Sequence, residues 1–372
     1  MRNVAVLIYV MKQTGGDAIA VSLISVAEYA PIFIFSFIGG TYADRWRPKR
    51  TMICCDILSA LSVFIVLITF YIGTWKVIFC VTLVSAILSQ FSQPCGLKLF
   101  KYHLSNDEMQ TAIAIYQMIG AVFLILGPVL GMIVFQAFGI GMSIAVMGIA
   151  FLLSAASLMF LPPDRAFNGE KTRETFIGEL ANGVRYILSR KELKLLGLCF
   201  MAIGFGLGLI QPLGIFLVTE RLCLTIECIQ WFMAVGGIGL ITGGVLSIVV
   251  SRTIRPQRLL IFGLILSSVS IAVAGLSTML WLTLTVHFLG SLVIPIITIG
   301  VNTLIMHNTE EAYVGRVNGI LSPMYTGSML VTMCLAGILK HIFTLVGMYG
   351  ASALLFICGI IITMPLYYAK EL

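Results

Sequence analysis

The sequence predicts an all-α polytopic membrane protein. Three observations carry that assignment: 59% of the 372 residues are hydrophobic and only 10% are charged, apolar runs of about 20 residues recur along most of the chain, and Lys and Arg gather in alternate connections between those runs. A mean hydropathy of +1.05 leaves too little polar surface to keep such a core dissolved in water, which excludes a soluble enzyme.

The chain opens on a short apolar run, Val4 to Met11, well below the ~20 residues of a spanning helix. Spans are expected near residues 18–43, 51–73, 76–97, 112–137 and 141–161, which with the opening segment make an N-terminal half, 1–161. The longest hydrophilic stretch, Pro162 to Lys194, follows as a linker, 162–194. Within it Phe176, Leu180, Val184 and Leu188 recur every four residues opposite Glu179, Asn182 and Arg185, the pattern of an amphipathic helix lying on the membrane surface. The C-terminal half, 195–372, has expected spans near 195–218, 228–250, 259–278, 280–304, 317–339 and 344–367.

The formal charge of +7 is distributed by loop. Of the 23 Lys and Arg, 18 fall in one set of alternating connections and at the C-terminus, among them Arg45, Arg47, Lys49, Arg50, Arg185, Arg190, Arg255 and Arg316. Four (Lys12, Lys76, Arg221, Lys340) fall on the other side, with Arg2 unassigned. The positive-inside rule puts the first set and the C-terminus in the cytoplasm of a multi-pass protein of the inner or plasma membrane. A nucleic-acid stripe would instead collect on one surface of a soluble domain, so no nucleic-acid partner is expected.

The two halves echo one another. Gly39-Gly40 returns as Gly243-Gly244, Arg47-Pro48-Lys49-Arg50 as Arg255-Pro256-Gln257-Arg258, and Asp107-Glu108 as Glu310-Glu311, at closely similar offsets and in matching loops. Such weak internal symmetry is a signature of transporters. The offset places the start of the first helix before Met1, so Val4 to Met11 is expected to be only its outer half, with an upstream start codon or a truncated product as the explanations.

The first basic loop, Gly40-Thr41-Tyr42-Ala43-Asp44-Arg45-Trp46-Arg47-Pro48-Lys49-Arg50, resembles motif A of the major facilitator superfamily. Gln93-Pro94, Asp107-Glu108, Gly178 to Tyr186 and Gly315-Arg316-Val317 resemble the branch that holds macrolide, multidrug and enterobactin exporters. The resemblance covers essentially the whole chain and implies two six-helix bundles, a gating role for Gly40, Asp44 and Arg45, and a monomer as the working unit. An Asp at one helix end suits the N-terminus of a neighbouring helix, where free amides and the dipole favour an anion. The helix starting near Arg316 is the partner that the resemblance implies, closing the cytoplasmic gate. Gly127-Pro128-Val129-Leu130-Gly131 is similar to the antiporter motif C; close glycine contact and the proline bend would hold the other side closed.

Polar residues within the spans are the remaining candidates. Glu28 sits about ten residues into its span, roughly 15 Å deep and near the midplane, where a carboxylate is expected to face a wet interior and carry a proton or meet substrate. Asp56, six residues past Arg50, is expected to pair with the basic loop and to serve gating second. His287 can titrate near neutrality and is a proton or substrate candidate, although packing is the commoner use of a lone intramembrane His. Gln90, Gln93, Gln117, Gln211 and Asn302 either line a cavity or join helices, and Gln211-Pro212 interrupts its span.

Nine cysteines include no zinc-like spacing; Cys223 and Cys228 lie near the outer surface, where a disulfide is conceivable. No HExxH motif or paired nucleophile and base appears at depth, so an intramembrane enzyme is not expected. The function expected is secondary active transport: proton-coupled efflux of drugs or other amphipathic small molecules by alternating access, with the proton gradient as energy source and no cofactor or metal. An importer or uniporter of the same fold, or a truncated non-transporting relative, is the alternative.

Overall fold

Backbone amides in a lipid core must be bonded within the chain, and the described residues satisfy them with helices. The computed structural model describes residues 10–11, 14–43, 47–70, 83–92, 95–96, 99, 119, 122–123, 130, 134, 137–139, 141–142, 144–162, 176–251, 253–310 and 313–368. Among them, seven helices are long and apolar enough to cross a membrane and none of the residues is in a strand. The chain divides into two compact units, Met1–Arg173 and Glu174–Leu372.

In the first unit, α1 (Ala18–Ala43) follows a turn made by Gly15 and Gly16, whose φ values of 64° and 88° suit glycine. The Asp17 carboxylate accepts the Ile19 amide at 2.9 Å, capping the helix N-terminus. α2 (Pro48–Phe70) begins on a proline, whose missing N–H costs nothing in the first turn. Shorter apolar helices follow, α3 (Leu83–Ser92) and α4 (Ile144–Met159). Ala20 and Ile24 of α1, Val63 of α2 and Ile144 of α4 share one buried cluster, while the Ser62 and Ser85 hydroxyls meet at 3.2 Å between α2 and α3. At the basic end Lys49 donates its ammonium to the carbonyls of Met159 and Leu161. A cation there answers the free carbonyls and negative dipole of the α4 C-terminus, so Lys49 does more than set topology.

The second unit begins with α5 (Phe176–Ser189). Then come α6 (Lys191–Ile210), α7 (Ile229–Val250), α8 (Pro256–Leu276), α9 (Leu280–Asn308), α10 (Val314–Ile342) and α11 (Leu345–Tyr368). α6 packs on α10 and α11, α11 on α8, α8 on α9 and α9 on α7. Lipid offers no hydrophobic drive between helices, so close backbone approach and polar contacts hold them. A Cβ added to Gly208 of α6 would collide with the Met329 carbonyl of α10, and one added to Gly243 of α7 with the Leu292 carbonyl of α9. The Ser352 hydroxyl donates to the Gly206 carbonyl at 2.7 Å, and Ser268 to Ala353 at 3.0 Å. Trp231 and Trp281 stand exposed at the end away from the basic loops, where indoles favour a membrane interface.

The span expected at 195–218 is longer and less regular. Beyond Ile210 the chain passes through a 3-10 turn (Gln211–Leu213), one helical turn (Gly214–Phe216) and a π turn (Leu217–Arg221). Pro212 cannot donate the bond that an α-helix requires, which is why the break falls there.

The linker helix buries a second face beside its expected apolar stripe. Gly183 and Ile187 are buried and Tyr186 half-buried, whereas Val184 and Leu188 of the expected apolar stripe are 39% and 60% exposed. Glycine at 183 is what lets α5 approach α10: a Cβ there would strike the Ile320 side chain and touch Arg316. A pattern that counts only large apolar side chains misses this.

Candidate functional site

Glu28 lies mid-way along α1, partly buried, three residues before Pro31. Asp56 is buried in α2 at 9% exposure and accepts the Ser154 hydroxyl of α4 at 2.6 Å. This corrects the expected pairing with the basic loop: among the described residues, the partner is a neutral hydroxyl. Asp56 is set eight residues in from Pro48, too deep for the loop cations and level with α4. Among the described residues, Glu28 and Asp56 are the carboxylates set well in from the ends of the long helices.

In the second unit His287 of α9 stands edge-on to Phe232 of α7, with ring centroids 5.6 Å apart, and hydrogen-bonds the Phe232 backbone. Gly236 makes room for the imidazole, since a Cβ there would crowd Nε2. Between residues 286 and 302 of α9 the exposed positions are His287, Ile294, Thr298 and Asn302. Spacings of seven, four and four put them on one helix face. On α10, Asn318 and Ser322 are exposed, and Thr326 one turn on bonds back to the Ser322 carbonyl. These two polar faces were missed except at His287 and Asn302; the four-residue recurrence of Asn318, Ser322 and Thr326 was the available signal.

At the basic end Arg316, partly buried, sits 5.4 Å from the centre of the Tyr313 ring. Tyr313 stacks on Tyr186 of α5, centroids 4.2 Å apart and planes 6° from parallel. Arg190 closes the group: its guanidinium lies 5.6 Å from the Tyr186 ring centre and bonds Glu310 at 2.7 Å. The Glu310 amide donates to the Tyr186 hydroxyl at 3.2 Å. At the opposite end Lys340 of α10 pairs with Glu220 at 2.6 Å and lies 3.4 Å over the Phe216 ring, while Arg221 donates to the Leu276 carbonyl at 2.6 Å. The irregular end of α6 is thus tied to α10 and α8.

Gly40 lies in the last turn of α1. Asp44, Arg45, Gly127, Pro128, Gly131, Gln93 and Gln117 lie outside the described residues. Gln90 is partly exposed on α3 and Gln211 exposed at the break after α6. Cys223 and Cys228 are both free thiols.

Residues 2–333 match the Major Facilitator Superfamily family. Two transporters of Bacillus subtilis (strain 168) are similar along most of their length. The uncharacterized MFS-type transporter YkuC is 25% identical over 356 residues, covering 91% of this chain and 82% of that protein. The uncharacterized MFS-type transporter YfiS is 24% identical over 376 residues, covering 97% and 86%. Among solved structures, a crystal structure of the nucleoside transporter NupG superposes with a TM-score of 0.79 at 11% identity, covering 98% of this chain and 96% of that one. A bacterial homologue of the human lysosomal transporter Spinster superposes at 0.64 with 14% identity, covering 98% and 91%.

Proposed function

The chain belongs to the Major Facilitator Superfamily and is a multi-pass membrane transporter, not an enzyme, and from that premise we propose that it is a proton-coupled exporter of amphipathic small molecules. Transporters of this fold are driven by ion gradients and need no bound cofactor. Glu28 carries the reading: a carboxylate in the middle of an apolar span is costly unless it meets water, a partner or a proton. Carrying a proton in one state and releasing it in the other would link the pH gradient to the cycle. Asp56, buried and bonded to Ser154, serves the packing of α2 on α4.

Within the second unit, the polar faces of α9 and α10 support a wet path, since exposed Asn302, Asn318 and Ser322 are poorly suited to lipid. His287 contributes a titratable substrate contact. Gly40, Asp44, Arg45 and Arg316 serve the gate at the basic, cytoplasmic end, and Gly127, Pro128 and Gly131 the closure opposite. Two six-helix halves joined by the 162–194 linker work by alternating access, with one chain sufficient.

The test is uptake into inverted vesicles under an imposed inward-acid gradient, with a panel of macrolides, other drugs and siderophores. Wild-type protein accumulates at least one of them and Glu28→Gln does not concentrate it. Equal gradient-driven uptake by both forms removes Glu28 from coupling, and no uptake of any panel member removes the export reading.

A further inference from the structure

The linker helix α5 presents two faces with different partners. Gly183, Tyr186 and Ile187 turn towards the rest of the second unit, where Gly183 meets Ile320 and Tyr186 stacks on Tyr313. At 100° per residue the neighbouring face carries Ala181, Val184 and Leu188, all exposed, with Arg185 along its edge. Leu188 is 60% exposed although it lies three residues from Lys191, where α6 starts. α6 is itself a membrane-crossing helix, so α5 meets it at the membrane's edge. Arg190, extended at φ −107° and ψ 115°, makes the corner.

Charge accompanies this apolar edge. Arg185, Lys191 and Lys194 are all exposed, and Arg190, the other cation here, is already joined to Glu310. The stack of Tyr186 on Tyr313 fixes how the helix is rolled about its axis, so Val184 and Leu188 cannot turn inward without breaking it. An apolar strip edged by cations, at the start of a spanning helix, matches the headgroup boundary of a bilayer: aliphatic carbons enter while Arg and Lys reach up to phosphate.

We propose that this face of α5 is a binding surface for anionic lipid. Val184 and Leu188 seat in the boundary between headgroups and acyl chains, and Arg185, Lys191 and Lys194 contact headgroup phosphates. The helix is held by lipid on one side and by Tyr313, at the head of α10, on the other. Lipid charge then bears directly on the end of α10 that carries Arg316. This surface is independent of which solute is carried or which ion drives it.

The experiment compares hydrogen exchange of the full chain in nanodiscs of phosphatidylcholine alone and with phosphatidylglycerol added. Segment 181–190 is expected to exchange roughly a hundredfold more slowly with the anionic lipid, from about three basic contacts. The difference should vanish in the combined variant Arg185→Gln, Lys191→Gln and Lys194→Gln. A Leu188→Trp variant, whose exposed position spares the docked face, should show added fluorescence quenched by brominated lipid. Exchange that is the same in both compositions overturns the proposal, as does added fluorescence in the Leu188→Trp protein that brominated lipid leaves unquenched while melting is unchanged. So does equal protection in detergent, which would assign the face to protein rather than lipid.

Discussion

Tyr186 and Tyr313 stack nearly parallel, 4.2 Å between ring centres, with Arg190 beside one ring and Arg316 beside the other. Four side chains thus alternate cation, ring, ring, cation. Each guanidinium faces an aromatic ring, a favourable arrangement, and the two rings bring α5 onto the head of α10. Tyr313→Ala should lower stability by about 1 kcal/mol, whereas Tyr313→Phe keeps the stack and should melt like wild type. A double-mutant cycle of Tyr186→Ala and Tyr313→Ala by thermal melting checks this: purely additive losses would mean that the rings do not interact.

Ser154 is the donor on which buried Asp56 relies. Ser154→Ala should cost about 1–3 kcal/mol because it leaves a buried acceptor without that bond. Asp56→Asn should be milder, since its amide oxygen can still accept from Ser154. Melting of the two purified variants in one detergent gives the order, and a milder Ser154→Ala would contradict the contact.

Gly208→Ala and Gly243→Ala drive a methyl group into the backbone of a neighbouring helix. Each should destabilise by roughly 1–3 kcal/mol through overpacking. Gly350→Ala is the control: nothing lies within 4 Å of its added Cβ, and a helical alanine should gain up to about 1 kcal/mol over glycine. Melting temperatures that fail to separate Gly350→Ala from the other two would refute the close approach.

Lys340 serves both Glu220 and the Phe216 ring. Lys340→Met should weaken the attachment of the irregular end of α6 more than Glu220→Gln does, because the second variant keeps the cation over the ring. Faster hydrogen exchange across 211–221 in Lys340→Met than in Glu220→Gln is the expected reading.

Most spans were legible because a helix that crosses lipid needs a long apolar run, and such runs leave little choice of element. α1 begins and ends where the hydropathy does, and the helices from α7 onward fall within a few residues of their expected limits. Partners were less legible. Asp56 stands close in sequence to Arg50, yet its partner is Ser154, nearly a hundred residues away, and no local spacing encodes that. Lys49 looked like one topological charge among several, because the carbonyls that it caps arrive from α4. The buried face of α5 is not signalled by the Val184 and Leu188 stripe, since it is made by a glycine and a tyrosine. The polar face of α10 is written in the sequence at four-residue intervals, whereas Ile294 interrupts that of α9 between His287 and Thr298.

The π turn over Leu217–Arg221 amounts to one residue inserted into a helix, and this makes residue count itself a constraint at that end of α6. Deleting a single residue from the regular turns of α6 just before it, with the π turn kept, would rotate everything beyond by about 100°. Glu220 and Arg221 would then point away from Lys340 and the Leu276 carbonyl together. A side-chain replacement removes one of those ties, whereas a change of register removes both.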